Sequence, residues 1–243
     1  MQMMVITKKH SYFIDEKDLA TIELGSLVFN LENKQISIVL TPGVLTSISC
    51  DAEIIDTLEE IIAAIAAGGE VTVSNKIDAP TGFAITADTT ITNNGEITIS
   101  EDTEGNGVFM VTEGTLTLNG KGIINGLGNN DWSMALWAKG NGKIVINDGY
   151  FTNVGAHSEE DSEHFDLIYA SDNAQVEING GEFKCETPKW TLNIKNNSRE
   201  TASIVVKGGK FHGFNPAEAE EGNFVAPGYK VVETDGIFEV IPE

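Results

Sequence analysis

The sequence predicts a mainly β protein: a right-handed parallel β-helix, wound as a single-stranded solenoid, with an N-terminal β arm and one capping helix. Three observations predict it. The stretches 108–124, 135–151, 167–183 and 192–211 share one layout: a short strand, a polar turn, an alternating strand, then glycine and an apolar residue. Their glycines, Gly122, Gly149, Gly181 and Gly209, lie 27, 32 and 28 residues apart, and a period of that size marks a repeat architecture. After residue 67 no long segment keeps the 3.6-residue period of a helix, so the repeating element is a strand.

Residues 1–50 share no pattern with the repeats. VITKKHSYFI and GSLVFNLENKQISIVL read as strands, with Ile36, Ile38 and Leu40 alternating, and Pro42-Gly43 signals a turn. This segment is expected to be a small β unit or an attachment arm. Residues 51–69 hold the one expected helix. In AEIIDTLEEIIAAIAA (52–67), Ile54, Ile55, Leu58, Ile61, Ile62 and Ile65 share one broad face. Asp51 can cap its start and Gly68-Gly69 stops it. Two roles compete for that face. Ile55, Leu58, Ile62 and Ile65 fit the a and d positions of a coiled coil that would zip chains together. They also suit a lid over the end of a β stack, and two heptads are too short to diagnose a coiled coil, so the lid comes first.

The stack itself is expected over residues 70–212. Leu116/Leu118, Ile144/Ile146, Val176/Ile178 and Ile204/Val206 put every second side chain on one face. One repeat cannot bury that face alone, but the next repeat can. Phe151, Phe183 and Phe211 recur two residues after the glycine, with Ile123 as their counterpart in the first repeat, and predict an internal aromatic stack beside a glycine corner. EVTVSNKI and FAITADTTITNNGEITIS read as one or two less regular opening turns. Residues 213–243, with Pro216, Pro227 and strands near 230–232 and 237–240, are expected to cover the last open edge.

Charge narrows the partners. The chain has 37 acidic residues against 15 basic ones, a net charge of −22, and Arg199 is its only arginine. A phosphate backbone needs clustered Lys and Arg, and an anionic bilayer would repel this surface, so neither nucleic acid nor a membrane is an expected partner. No run approaches the roughly 18 apolar residues of a membrane span. MQMMVITKKHSYF lacks the apolar core of a signal peptide, so synthesis in a cytoplasm is expected. Cys50 and Cys185 lie far apart with no CxxC spacing, which reads as two buried free thiols.

The helix followed by GGEVTV (68–73) and NGEITIS (94–100) resembles the opening of pectin-lyase-like right-handed β-helices, where a helix caps the first coil. NFVAPGYKVVE (223–233) resembles the end of bacteriophage β-helix proteins such as head fibres and tailspikes. The resemblance covers about residues 52–212 and is specific for fold rather than activity. The phage-like ending, taken with the unlike first 50 residues, the lack of catalytic groups and the acidic surface, implies a structural virion component, a head fibre or capsid decoration protein. Residues 1–50 would anchor it to capsid or other virion proteins, and the β-helix would project as a homotrimer. The alternative it implies is a tailspike-like protein that binds or degrades carbohydrate.

No catalytic residue stands out. A lyase of this fold would need an Arg or Lys base over a calcium-holding carboxylate cluster, and Arg199 sits in the turn KNNSRETA. A hydrolase would need paired carboxylates on adjacent coils, and Asp148 and Asp172 make no such pair. In HSEEDSEHFD (157–166), His157, Asp161 and His164 lie among further carboxylates and could hold a divalent cation. The same stretch also reads as a solvated acidic insertion that lengthens one repeat. No other cofactor is expected. Trp137 and Tyr169 occupy equivalent repeat positions, and Trp190 lies near a turn. Exposed, these rings could form a strip for a host-surface glycan. Turned inward, they would be core, and Leu136 and Ile168 compete with them for that side. His10 and His212 have no neighbour in sequence that suggests ligation.

Overall fold

Apolar residues at every second position make strands that bury one face, and in this chain the burial comes from stacking. The computed structural model describes residues 2–6, 11–15, 26–31, 34–41, 44–50, 54–55, 57–99, 107–126, 134–155 and 165–243, with side chains from residue 57 onward. The chain divides into two units, Met1–Ile54 and Ile55–Glu243. In the first, β1 (Gln2–Ile6) and β2 (Ser11–Asp15) pair antiparallel. There β3 (Ser26–Leu31), β4 (Lys34–Thr41) and β5 (Val44–Cys50) form an antiparallel meander whose register shifts between Val39 and Leu40. The expected Pro42-Gly43 turn lies outside the described residues.

The helix is shorter than its apolar pattern suggests. Ile54 and Ile55 lie in a short strand, β6 (Ile54–Ile55), and α1 runs Leu58–Ala67. Thr57, not Asp51, is the cap. Its hydroxyl accepts from the Glu60 amide at 3.3 Å, and the Glu60 carboxylate accepts from the Thr57 amide at 3.1 Å. This reciprocal pair sets the start that the isoleucine run obscured. Ile61 and Ile65 are buried in the core, Leu58 packs against it half-buried, and Ile62 is 51% exposed. An a/d seam would need Ile62 and Ile65 on one partner-facing side, and Ile65 is instead buried against the core of the same chain. Ile55 is not on the helix at all.

Beyond Gly68 the strands come in threes. The first repeat has β7 (Gly69–Val73), β8 (Lys76–Ala79) and β9 (Phe83–Ile85). The second has β10 (Thr89–Asn93), β11 (Glu96–Ile99) and β12 (Phe109–Val111). The third has β13 (Thr115–Asn119), β14 (Ile123–Asn125) and β15 (Leu136–Ala138). The fourth has β16 (Lys143–Ile146), β17 (Tyr150–Thr152) and β18 (Ile168–Ala170). The fifth has β19 (Gln175–Ile178), β20 (Glu182–Lys184) and β21 (Leu192–Ile194). β22 (Ser203–Val206) and β23 (Gly209–His212) begin a sixth. Each strand pairs parallel with the strand three places later, which gives three parallel sheets consistent with a β-helix. The two opening turns are as regular in pairing as the rest.

Register lines up like with like. In sheet one, Val71, Ile91, Leu118, Ile146, Ile178 and Val206 form one inward column. In sheet two, Phe151, Phe183 and Phe211 are wholly buried and stacked, with centroids 5.0 and 4.8 Å apart and planes 10° apart. Their counterpart in the third repeat is Ile124, at 2% exposure, and not Ile123, which faces out beside Tyr150. The counting failed because the third repeat turns differently. Gly149, Gly181 and Gly209 have φ of 127°, 98° and 107°, the left-handed region that favours glycine. Gly122 is not among them, and a Cβ there would meet the Gly95 carbonyl at 2.5 Å.

At the same corner Asn147 donates from Nδ2 to Asn119 Oδ1 at 2.9 Å, and Asn179 donates to Asn147 at 3.0 Å. This ladder ties three repeats along the stack axis. The far end is closed by β24 (Tyr229–Thr234) and β25 (Ile237–Pro242), with β25 antiparallel to both β23 and β24. Phe214 and Phe224 join the core from the intervening segment.

Candidate functional site

The outward side of sheet three carries the aromatics. Leu136, Ile168 and Leu192 point inward at full burial, so their neighbours Trp137, Tyr169 and Asn193 form the outward column. Trp137 and Tyr169 stand at 6.0 Å between centroids, tilted by 55°. Trp137 is nevertheless only 8% exposed, with the Lys139 ammonium 4.7 Å over its ring. A strip of exposed rings therefore does not start at Trp137.

An open groove of about 300 Å³ does lie beside it, lined by Tyr169, Trp190, Asn193, Lys195, Asn196 and Asn197. Its residues come from two local structures. Trp190 ends a 3₁₀ turn (Pro188–Trp190) that Pro188 starts, and the Lys189 ammonium sits 5.2 Å over its ring. Asn196 and Asn197 come from a second 3₁₀ turn (Asn196–Ser198), where β21 bends away. Asn193 Nδ2 donates to Asp166 Oδ1 at 2.8 Å, which fixes the orientation of its carboxamide. Burial, aided by Asp166 and Asp172, holds the Tyr169 phenol above the ordinary tyrosine range, so it stays a neutral donor.

Trp137, on the rung next to Tyr169, is tied to this groove by a hydrogen-bond network. Its Nε1 donates to Ser171 Oγ at 3.1 Å, and Ser171 donates to Asp172 Oδ2 at 3.3 Å. That carboxylate also accepts from the Gly140 amide at 3.1 Å, and the Asp172 amide donates to Ser198 Oγ at 2.8 Å. Thr201 donates to the Asp172 carbonyl. Asp172 has φ of 61°. The network links the strand of Trp137 to the turn that presents Asn196 and Asn197.

A second, larger groove of about 510 Å³ follows the glycine corner, lined by Lys121, Asp148, Tyr150, Glu182, Lys210 and Glu239 among others. Here His212 Nε2 meets Glu182 Oε1 at 2.6 Å, a pair 30 residues apart that local sequence does not reveal. Tyr150 and Glu182 are register partners, and burial, then Glu182, raises the Tyr150 phenol. Asp148 accepts from the neighbouring Gly149 amide at 2.9 Å. Arg199 is taken up elsewhere, 3.6 Å from Glu221, whose side chain is 2% exposed.

His157, Asp161 and His164 lie outside the described residues, as does His10. Among the described residues no group of three or more His, Cys, Asp or Glu could hold a metal ion. The two ends of the acidic insertion are anchored. Glu186 and Gly155 share a hydrogen bond at 2.6 Å, and the buried Asn153 donates to the Asp166 carbonyl at 3.2 Å. Among the described residues no helix is long and apolar enough to cross a membrane. No protein-family model, no curated protein and no solved structure matches this chain.

Proposed function

We propose that residues 69–212 wind as a right-handed parallel β-helix and that the chain is a structural shaft of a bacteriophage virion, a head fibre or capsid decoration protein. The supporting observation is the in-register stack of repeats with a lid helix at one end and an antiparallel hairpin at the other. Parallel strands joined by crossover connections are right-handed in nearly every known case, which supports the right hand. Stacked repeats make a rod whose length scales with repeat number and whose ends need covers. A rod with a net charge of −22 suits a projecting spacer. The N-terminal unit serves as the anchor to capsid or other virion proteins, and three chains associate.

The test is sedimentation of a lysate from the producing host on a density gradient. The chain should travel with assembled particles. Recovery only at the top of the gradient, with free protein, contradicts the proposal. The carbohydrate-binding alternative has its own support in the groove beside Trp190.

A further inference from the structure

We propose that the groove bounded by Tyr169, Trp190, Asn193 and Asn196 binds an uncharged glycan. Two half-buried aromatic rings meet three carboxamides within about 300 Å³, a volume at the low end of small-molecule sites and open on one side. Flat rings pack on the C–H faces of sugar rings, and each carboxamide offers both a donor and an acceptor for vicinal hydroxyls.

The floor is preorganised. Asn193 is oriented by Asp166, and the turn carrying Asn196 and Asn197 is tied through Ser198 and Asp172 to Ser171 and Trp137. Binding then costs little ordering of the protein. In this arrangement Trp137 is a positioning residue, buried in the rung next to Tyr169. The ligand's charge follows from the whole molecule. A net charge of −22 repels a polyanion over the Debye length, and Lys139 and Lys189 already lie over aromatic rings of this face. Lys195 also lines the groove, but one ammonium against that net charge does not select an anion, and ring face and amide, the chemistry of neutral sugars, make up most of the rest of the lining.

The full chain, labelled, is applied to an array carrying neutral, sialylated and uronate-bearing glycans, and hits are titrated by tryptophan fluorescence. The expected result is binding on the neutral arm, unchanged between about 0.05 and about 0.5 M salt, where screening of charges differs strongly. Tyr169→Ala and Trp190→Ala should each weaken it at least about tenfold, in line with the loss of a stacking contact. The exposed Asn196→Ala should weaken it with the fold intact by circular dichroism. No binding on any arm, binding confined to acidic glycans, or affinity unchanged in all three variants overturns the proposal. A chain that binds no glycan yet travels with particles would leave the shaft reading standing, and the reverse result would leave the groove.

Discussion

Phe183 lies between Phe151 and Phe211 in a parallel stack, its ring 5.0 Å from the first and 4.8 Å from the second. Each ring belongs to a different repeat, so the stack binds three repeats along one line. All three are wholly buried, and close packing leaves no room for neighbours to collapse into a gap. Phe183→Ala should therefore destabilise the protein by about 3–5 kcal/mol, and Phe183→Leu by less. Urea unfolding of the two variants measures the difference. Equal, small losses would mean that the stack does not hold the repeats.

The Asn147 carboxamide donates to Asn119 and accepts from Asn179, so it serves two bonds. Asn147→Ala loses both and should cost roughly 1–2 kcal/mol. Asn147→Asp keeps an acceptor for Asn179 and loses only the donation to Asn119, so it should cost about half as much. Asn147→Asp proving the worse variant in a thermal melt would show that charge, and not the ladder, governs the site.

Glu221 is buried against Arg199, and burial raises its carboxyl above the ordinary range. With a folded value above the unfolded one, its contribution to stability is present below the unfolded value and fades as pH rises through the folded value. Glu221→Gln should thus gain on the wild type between acid and neutral pH. Arg199→Ala, which leaves the carboxylate without its cation, should lose roughly 1–3 kcal/mol at neutral pH and less in acid. Melting temperatures across that pH range decide it. A wild type that gains on Glu221→Gln toward neutrality would reverse the sign.

Cys185 is 5% exposed, its thiol bonds the Phe165 carbonyl at 2.9 Å, and burial pushes it up to about 12. The thiolate is the reactive form, so in a Cys50→Ser background the native protein should resist a thiol reagent at pH 8 and react once unfolded. Stability tied to the neutral thiol should decline only as pH climbs from the ordinary thiol range toward about 12. Rapid native labelling would place the sulfur at the surface.

Much of this architecture was legible in the chain, and the misses have physical causes. The glycine-then-phenylalanine pattern located the buried stack because both residues answer one local demand, a left-handed corner beside an inward ring. The third repeat misled by one place because Gly122 is required by close approach to Gly95 and not by its own φ. The isoleucines at 54 and 55 extended the helical pattern past its true start, while Thr57 and Glu60 carried the capping signal. Asn119, Asn147 and Asn179 recur with the repeat spacing, which could have revealed the ladder. The pairs His212–Glu182 and Arg199–Glu221 could not be read, because each joins residues brought together only by stacking. The sequence leaves Trp137 open between an exposed strip and the core, and alternation shows only which way a residue points, not what covers it.

The central claim, an associated shaft, is tested most directly by multi-angle light scattering on the purified full chain. The expected mass is three times the 26.1 kDa of one chain, constant across the elution peak and over dilution. A mass of 26.1 kDa at every concentration would contradict it.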